Sequence, residues 1–348
     1  MNVKFFDPSR GYKRIRKEVL GEIDRVLKAG DLILRQDVED FENTLAEYVG
    51  TKYAVALNSG TDALYLALRA LKIGRGDQVI VPSRTFVATA QVVKQVGAEP
   101  IFYDLDGKVT AKPDRVKAII PVHIEGAMDR YTNDMIGWAE INGWDVIEDA
   151  AQAIGATHDG KMAGSLGTAG CFSFYPAKIL GAYGDAGGLT TNNKEIYEYV
   201  KDARNHFKDS NSDWGVNSRM DNVQAAILNV KFRYHQQALD RRQEIAEMYD
   251  TGLCKIEDLI LPPSIEGRVW QDYIIRTTDR NDLFAYLKRE GVETMKNNYP
   301  FPVPKLPQAQ AYEDETLRLP CNENVEDKEI KYVIKIIKQF YENTYNRG

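Results

Sequence analysis

The sequence has few of the residues that form disulfides or bind metals, and it has no long apolar run. Its 348 residues include three cysteines and four histidines. Cys171, Cys254 and Cys321 lie far apart and form no CxxC pair, which argues against a disulfide framework and a zinc ribbon. No apolar stretch approaches the roughly 18 residues of a membrane span, and the N-terminus lacks the apolar segment of a secretion signal. We therefore expect a cytoplasmic protein without a metal site.

An excess of positive charge is also absent. The chain has 45 lysines and arginines against 51 acidic residues, a net charge of −6, which argues against a nucleic-acid partner. Its 43% hydrophobic and 28% charged content is typical of globular proteins. Neither GxGxxG nor GxxxxGK[ST] occurs, which weakens the nicotinamide and nucleoside-triphosphate alternatives.

Short apolar runs alternate with helical patterns through the first half of the chain. This alternation predicts an α/β fold in which helices cover both faces of a mainly parallel sheet. Ligands bind such sheets beyond the carboxyl ends of the strands. A helix is also predicted to start in the segment 150–154. The predicted strands are 53–57, 78–82, 99–103, 117–123, 144–148, 171–175 and 188–191.

The second half of the chain has a different pattern. One long helix is predicted over 221–250, followed by a proline-containing turn at 260–268. A strand, a helix, a proline-rich loop and a final amphipathic helix then complete the sequence. We therefore predict a large α/β domain over 1–240 and a smaller α+β domain over 241–348.

Lys178 lies between an apolar strand and a glycine-rich loop, in the segment CFSFYPAKILGAYGDAGG. An upstream strand ends in Glu148 and Asp149, which point to opposite faces if both belong to the strand. A lysine that forms a Schiff base and a carboxylate that keeps a ring nitrogen protonated are what pyridoxal 5'-phosphate requires. The alternative is that Lys178 is a solvated loop residue and that Asp149 caps a helix.

Two further segments have features of a ligand site. Ser59 and Gly60 follow a strand and open a helix, and the free N–H groups of a helix start attract anions. The alternative is a capped helix without a ligand. Phe86 starts the helix after Pro82, where an aromatic ring can stack on a flat cofactor or can pack in the core.

Seven segments of the chain resemble motifs of the DegT/DnrJ/StrS nucleotide-sugar aminotransferases, in the same order. The resemblance covers roughly residues 12–345 and implies fold type I, the aspartate-aminotransferase-like fold. It also implies transfer of an amino group from L-glutamate to a keto group of a nucleotide-linked deoxysugar, for amino-sugar and polysaccharide biosynthesis. The segments are SGTDAL, VPSRTFVATA, PVH, VIEDAAQAIGA, CFSFYPAK, LGAYGD and GVNSRMDNVQAAIL.

The resemblance implies roles for eight residues of this chain. Lys178 would be the Schiff-base lysine, Asp149 the acid at the pyridine nitrogen, and Gln152 the neighbour of the phenolic oxygen. Phe86 would stack on the pyridine ring. A homodimer with two composite sites is implied, because one phosphate ligand belongs to the neighbouring subunit. The residues expected at the cofactor phosphate are Gly60, Thr61, Ser173 and, from that subunit, Asn217.

The chain departs from this family pattern near the expected substrate. Glu125 and Gly126 stand where an aromatic–glycine pair is usual, and 296–302 reads KNNYPFP, with Asn297 and Asn298 where a His-Tyr-Pro pattern is common. These departures leave open the nucleotide (dTDP, UDP or GDP) and amination at C3 or C4.

Two other functions remain open at this point. One is a regulatory or non-catalytic protein that binds the same cofactor. The other is an enzyme acting on amino acids, which would need an arginine clamp for the α-carboxylate. Arg84, Arg204 and Arg219 are candidates for such a clamp.

Overall fold

The computed structural model describes residues 1–109, 115–128, 130–210, 212–296, 304 and 306–345. Seven strands form one sheet, in the spatial order β1 (53–57), β9 (187–191), β8 (169–173), β5 (145–149), β4 (116–119), β2 (78–82) and β3 (99–103). Neighbouring strands are parallel except β9, which is antiparallel to both β1 and β8. The predicted mainly parallel seven-stranded sheet is therefore confirmed. The strands are β1 Tyr53–Leu57, β2 Gln78–Pro82, β3 Glu99–Tyr103, β4 Val116–Ile119, β5 Asp145–Asp149, β8 Ala169–Ser173 and β9 Gly187–Thr191, with β6 Thr157–His158 and β7 Lys161–Met162 forming a separate hairpin.

Helices cover both faces of this sheet. Val55 and Leu57 of β1 belong to one apolar core, whereas Ala54 and Ala56 belong to another. Successive residues of a strand point to opposite faces, so β1 is buried on both sides and reads as a continuous apolar run. The helices up to residue 253 are α1 Pro8–Ala29, α2 Gln36–Val49, α3 Gly60–Ala70, α4 Val87–Gln95, α5 Arg130–Asn142, α6 Lys194–Ala203, α7 Asn222–Phe232 and α8 His235–Leu253.

Two predicted helices are wrong. The single helix over 221–250 is two helices, α7 and α8, because Tyr234 turns the chain with φ −105° and its hydroxyl donates to Glu18 of α1 at 2.5 Å. No glycine or proline marks this break. The segment 150–154 forms turns instead of a helix start, because Ala150 donates its N–H to Cys171 of β8 at 2.9 Å.

A second, antiparallel sheet lies in the C-terminal part of the chain, with its own apolar core. Val3 joins this core and pairs with Val292. Helix α8 crosses the predicted domain boundary, since Leu239 packs in a core of the large sheet and Ile245 in that of the small one. The division at residue 240 stays a prediction. The elements here are β10 Tyr273–Arg276, α9 Arg280–Arg289, β11 Met295–Lys296, α10 Pro307–Glu315, β12 Thr316–Leu319 and α11 Asp327–Tyr345.

Within the described residues, no helix combines the length and the apolar character that a membrane span requires.

Candidate active site

Asp149 and Lys178 lie at the carboxyl ends of two neighbouring parallel strands. Asp149 is the last residue of β5, and Lys178 follows β8 by five residues. A short turn presents the lysine, because its backbone N–H donates to Tyr175 at 2.8 Å. Parallel strands bring their carboxyl ends to one edge of the sheet, where ligands bind in this class of fold.

Burial shifts the pKa values of both groups toward their neutral forms. It lowers the pKa of the Lys178 amine, which the charges of Asp272 and Asp149 partly offset. It raises the pKa of Asp149, against a hydrogen bond from Thr89 (2.8 Å) and one from the Ala151 backbone (3.2 Å). A Schiff-base lysine must lose its proton near neutral pH, so this environment fits pyridoxal phosphate.

Glu148 and Asp149 face opposite sides of the sheet, as consecutive strand residues must. The Glu148 carboxylate is fully buried and accepts hydrogen bonds from the backbone of the loop after β7 and from His123 Nε2 at 2.7 Å. Its acceptor capacity is used within the protein, which leaves Asp149 as the acid for a ligand. The backbone donors to Glu148 are Gly164 at 2.8 Å, Leu166 at 2.7 Å and Gly167 at 2.8 Å.

The start of α3 packs closely against the end of β8. Ser59 caps the helix by accepting the Asp62 N–H at 3.1 Å. A Cβ atom at Gly60 would lie 2.9 Å from the Cβ atom of Ser173, so only glycine fits there. Gly60, Thr61 and Ser173 are thus adjacent at a helix N-terminus, an arrangement that fits the cofactor phosphate.

Phe86 stands at the N-cap of α4 and is 53% exposed. The alternative of a core phenylalanine is therefore wrong. Three residues later, Thr89 reaches the Asp149 carboxylate and also contacts Thr85 at 2.7 Å. Thr89 was missed at the sequence level, although its position one helical turn after Phe86 was the available signal.

Gln152 lies three residues after Asp149, and its Oε1 atom accepts the Glu125 backbone N–H at 2.7 Å. The family departure at Glu125 is thus in direct contact with an expected cofactor residue. The departure at Asn297 and Asn298 lies outside the described residues.

Asn217 has an exposed side chain, away from the buried part of the site. Its neighbour Ser218 donates to Asp62 in the first turn of α3 at 2.7 Å, so the backbone of this segment runs beside α3. Its assignment to the phosphate of a second subunit stays a prediction.

The three candidate clamp arginines all have partners in the protein. Arg204 forms a buried ion pair with Glu42, Arg84 forms one with Glu125, and Arg219 donates to Asn205 at 3.0 Å. A preformed clamp for an amino-acid carboxylate is therefore not available from these three residues, which weakens the amino-acid alternative.

An open cavity of about 1100 Å³ borders one side of the site. Its lining includes Lys178 and residues of α1 and α8, but not Gly60, Phe86 or Asp149. The cavity therefore shares Lys178 with the expected site residues and lies beside the expected cofactor position.

Comparisons with known proteins identify the family of this chain. A sequence model of the DegT/DnrJ/EryC1/StrS aminotransferase family matches residues 13–338. The chain is 37% identical to the pleiotropic regulatory protein of Geobacillus stearothermophilus, over 98% of this chain and 99% of that protein. It is also 37% identical to the UDP-2-acetamido-2-deoxy-3-oxo-D-glucuronate aminotransferase of Pseudomonas aeruginosa, over 92% of each. The solved structure of S. venezuelae DesV in complex with a ketimine intermediate superposes with a TM-score of 0.93 at 34% identity, covering 98% of this chain and 99% of that one.

Proposed function

The chain belongs to the DegT/DnrJ/EryC1/StrS aminotransferase family, and on this premise we propose that it aminates a nucleotide-linked 3-keto-deoxysugar with L-glutamate as donor. It is a pyridoxal-phosphate-dependent sugar aminotransferase of fold type I. The observation that carries the proposal is the placement of Lys178 and the buried Asp149 at the carboxyl ends of neighbouring parallel strands, where burial also lowers the pKa of the lysine. The 3-oxo sugar named for the Pseudomonas relative supports amination at C3.

Each residue of the site would contact a different part of the cofactor. Lys178 would attach it covalently, Asp149 would hold its ring nitrogen, and Phe86 would cover its ring. Gly60, Thr61 and Ser173 would bind its phosphate through backbone and hydroxyl donors. When bound, pyridoxal phosphate supplies an electron sink for the carbon that loses its proton.

Lys178 also moves a proton during the reaction. A lysine whose pKa is lowered by burial loses its own proton more readily, so its amine can accept the proton from the substrate carbon that bears the amino group and can return it elsewhere. Asp149 is fixed for its role because Thr89 and Ala151 each donate to one of its oxygen atoms. These contacts orient the carboxylate before any ligand arrives.

A spectroscopic experiment tests the function. The visible absorption of the purified holoenzyme should fall when L-glutamate is added and return when a nucleotide-linked 3-keto sugar follows. Borohydride reduction and peptide mapping should place the cofactor label on Lys178. An unchanged spectrum with every amino donor would favour the regulatory function that the name of the Geobacillus relative raises, and a label on another lysine would contradict the assignment.

We further propose that the enzyme is a cytoplasmic homodimer in which Asn217 completes the partner's site. Asn217 is exposed, Trp214 three residues earlier in the sequence is 88% exposed, and large exposed aromatic residues are frequent at interfaces. Three free cysteines fit a reducing compartment.

Subunit mixing tests the composite site. Lys178→Ala and Asn217→Asp should each be inactive, whereas a mixture refolded together should regain about a quarter of the wild-type activity. Half of the dimers formed at random are mixed, and one site of each mixed dimer has both native residues. A mixture that stays inactive, although cross-linking shows mixed dimers, would contradict the composite site.

A further inference from the structure

A buried ionic cluster surrounds Glu125 at the carboxyl edge of the large sheet. The exposed fraction is 6% for Glu125 and 8% for both Arg84 and Arg268. Arg84 forms an ion pair with one carboxylate oxygen, Arg268 approaches the other at 3.5 Å, and the Tyr312 hydroxyl donates at 3.4 Å. The three partners come from the β2–α4 loop, the turn before β10, and α10, so they fix the glutamate from three directions.

The backbone of Glu125 has an unusual conformation. Its φ of 60° and ψ of 15° lie in the left-handed region, which residues other than glycine seldom adopt. Glutamate has no intrinsic preference for this region, unlike asparagine or glycine. The segment is also tightly packed, because a Cβ atom at Gly126 would lie 2.8 Å from the Gln271 nitrogen. The contacts of the carboxylate thus hold the residue where its backbone would not stay by itself.

This conformation decides the orientation of the Gln152 side chain. The Glu125 backbone N–H donates to Gln152 Oε1 at 2.7 Å. An amide that accepts through its oxygen carries its two N–H groups on the nitrogen, which diverges from the oxygen by about 120°. The Gln152 amide therefore faces away from Glu125 as a donor.

We propose that the cluster of Arg84, Glu125 and Arg268 is a positioning device, which turns the Gln152 amide so that its N–H donates to the phenolic oxygen of pyridoxal phosphate. This inference rests on the proposed function. It gives a role to the glutamate that replaces the usual aromatic residue.

The positioning device should change the pKa of the imine that joins Lys178 to the cofactor, which can be measured as the pKa of the visible chromophore. A donor at the phenolic oxygen stabilises the negative charge there and weakens the hold of that oxygen on the imine proton. Loss of this donor should raise the pKa of the visible chromophore by about one unit, the effect of one hydrogen bond. Loss of the Glu125 charge alone would act in the opposite direction and lower that pKa, because a negative charge favours the protonated imine. The direction of the shift therefore separates the two effects.

The comparison of Glu125→Ala with Glu125→Gly isolates the backbone. Both variants remove the carboxylate and differ from each other by one methyl group, but only glycine readily adopts a φ of 60°. The pKa of the visible chromophore, titrated on the holoenzyme, should rise by about one unit in Glu125→Ala and by less than half of that in Glu125→Gly. Equal shifts in the two variants, an unchanged pKa in Glu125→Ala, or a lowered one would overturn the proposal.

Two controls complete the experiment. Glu42→Gln weakens another buried ion pair, that of Glu42 with Arg204, and should lower the melting temperature without shifting the chromophore pKa. In a Gln152→Ala background the Glu125→Ala shift should vanish, and its persistence there would contradict the proposal. The charged groups that face Lys178 are Asp149, Asp272 and Arg318, and all variants retain them.

The outcome is separable from the proposed function. If the wild-type protein has no visible absorption band, or if the cofactor label is not on Lys178, the proposed function itself is refuted. If the band is present but its pKa does not change in the Glu125 variants, only the positioning device is overturned. If Glu125→Ala does not fold, Arg84→Met is added to both Glu125 variants, because it removes the unpaired buried guanidinium. The same comparison of alanine with glycine is then made.

Discussion

Gln271 holds the backbone on both sides of Lys178. Its side-chain amide donates to the Ala177 carbonyl at 3.1 Å, and its Oε1 atom accepts the Ile179 N–H at 3.3 Å. Gln271 precedes β10 of the small sheet, whereas Lys178 follows β8 of the large one. The position of the candidate catalytic lysine therefore depends on a segment of the C-terminal part of the chain.

Replacing Gln271 should slow catalysis. Gln271→Leu removes two hydrogen bonds of about 1 kcal/mol each, so we expect kcat to fall roughly tenfold as the lysine turn loosens. Gln271→Glu keeps the acceptor but not the donor and should give an intermediate kcat. Gln236→Leu, at an exposed position of α8, is the control and should leave kcat unchanged. A Gln271→Leu enzyme with wild-type kcat but a reduced melting temperature would mean that Gln271 only stabilises the fold.

A methyl group at Gly60 should weaken cofactor binding. Gly60→Ala forces the start of α3 away from Ser173, because the new atom would lie 2.9 Å from the Ser173 Cβ atom. We expect the Kd for pyridoxal phosphate to rise at least tenfold, which corresponds to about 1.4 kcal/mol. Gly21→Ala is the matched control, since it has open space within α1 and should stabilise the protein by about 1 kcal/mol. Unchanged affinity in Gly60→Ala would place the phosphate elsewhere.

The stability of the apoprotein should depend on pH through Asp149. Burial raises the pKa of this carboxyl above its unfolded value of about 4, so its contribution to stability is complete below that pH and is lost as the pH rises through the folded pKa. Asparagine does not titrate, so Asp149→Asn does not lose stability in this way as the pH rises. Its melting temperature should therefore gain on that of the wild type as the pH rises above about 4, while its cofactor affinity falls. Thermal unfolding of both apoproteins from about pH 4 upward measures the difference between their melting temperatures. A difference that does not change with pH would show that the carboxyl is well solvated.

Removing the Phe86 ring should affect the cofactor more than the fold. Phe86 is 53% exposed, so Phe86→Ala should change the free energy of unfolding of the apoprotein by less than about 0.5 kcal/mol. Loss of a stacked ring should weaken pyridoxal phosphate binding roughly tenfold. Ile141→Ala, at a position that is 86% exposed, controls for the loss of an exposed apolar side chain. A destabilised Phe86→Ala apoprotein with normal cofactor affinity would assign the ring to packing instead.

Local patterns were enough for much of the fold. The apolar runs predicted the seven strands of the large sheet, because strands buried on both faces need continuous apolar sequence. The capping serine before Gly60 predicted a helix start, which the structure has at that residue. The break between α7 and α8 could not be predicted, since the hydroxyl contact of Tyr234 with Glu18 joins residues that are distant in sequence.

The sequence by itself determined which chemical groups stand at the strand ends, including Lys178 and Asp149, since residue type and strand order are local properties. Only the tertiary structure decided that Glu148 is used within the protein, that Gln271 fixes the lysine turn, and that Glu125 orients Gln152. Each of these depends on contacts between segments that lie apart in the chain. Burial and hydrogen bonding at such contacts, which no local pattern records, set both the pKa values and the orientation of the side chains.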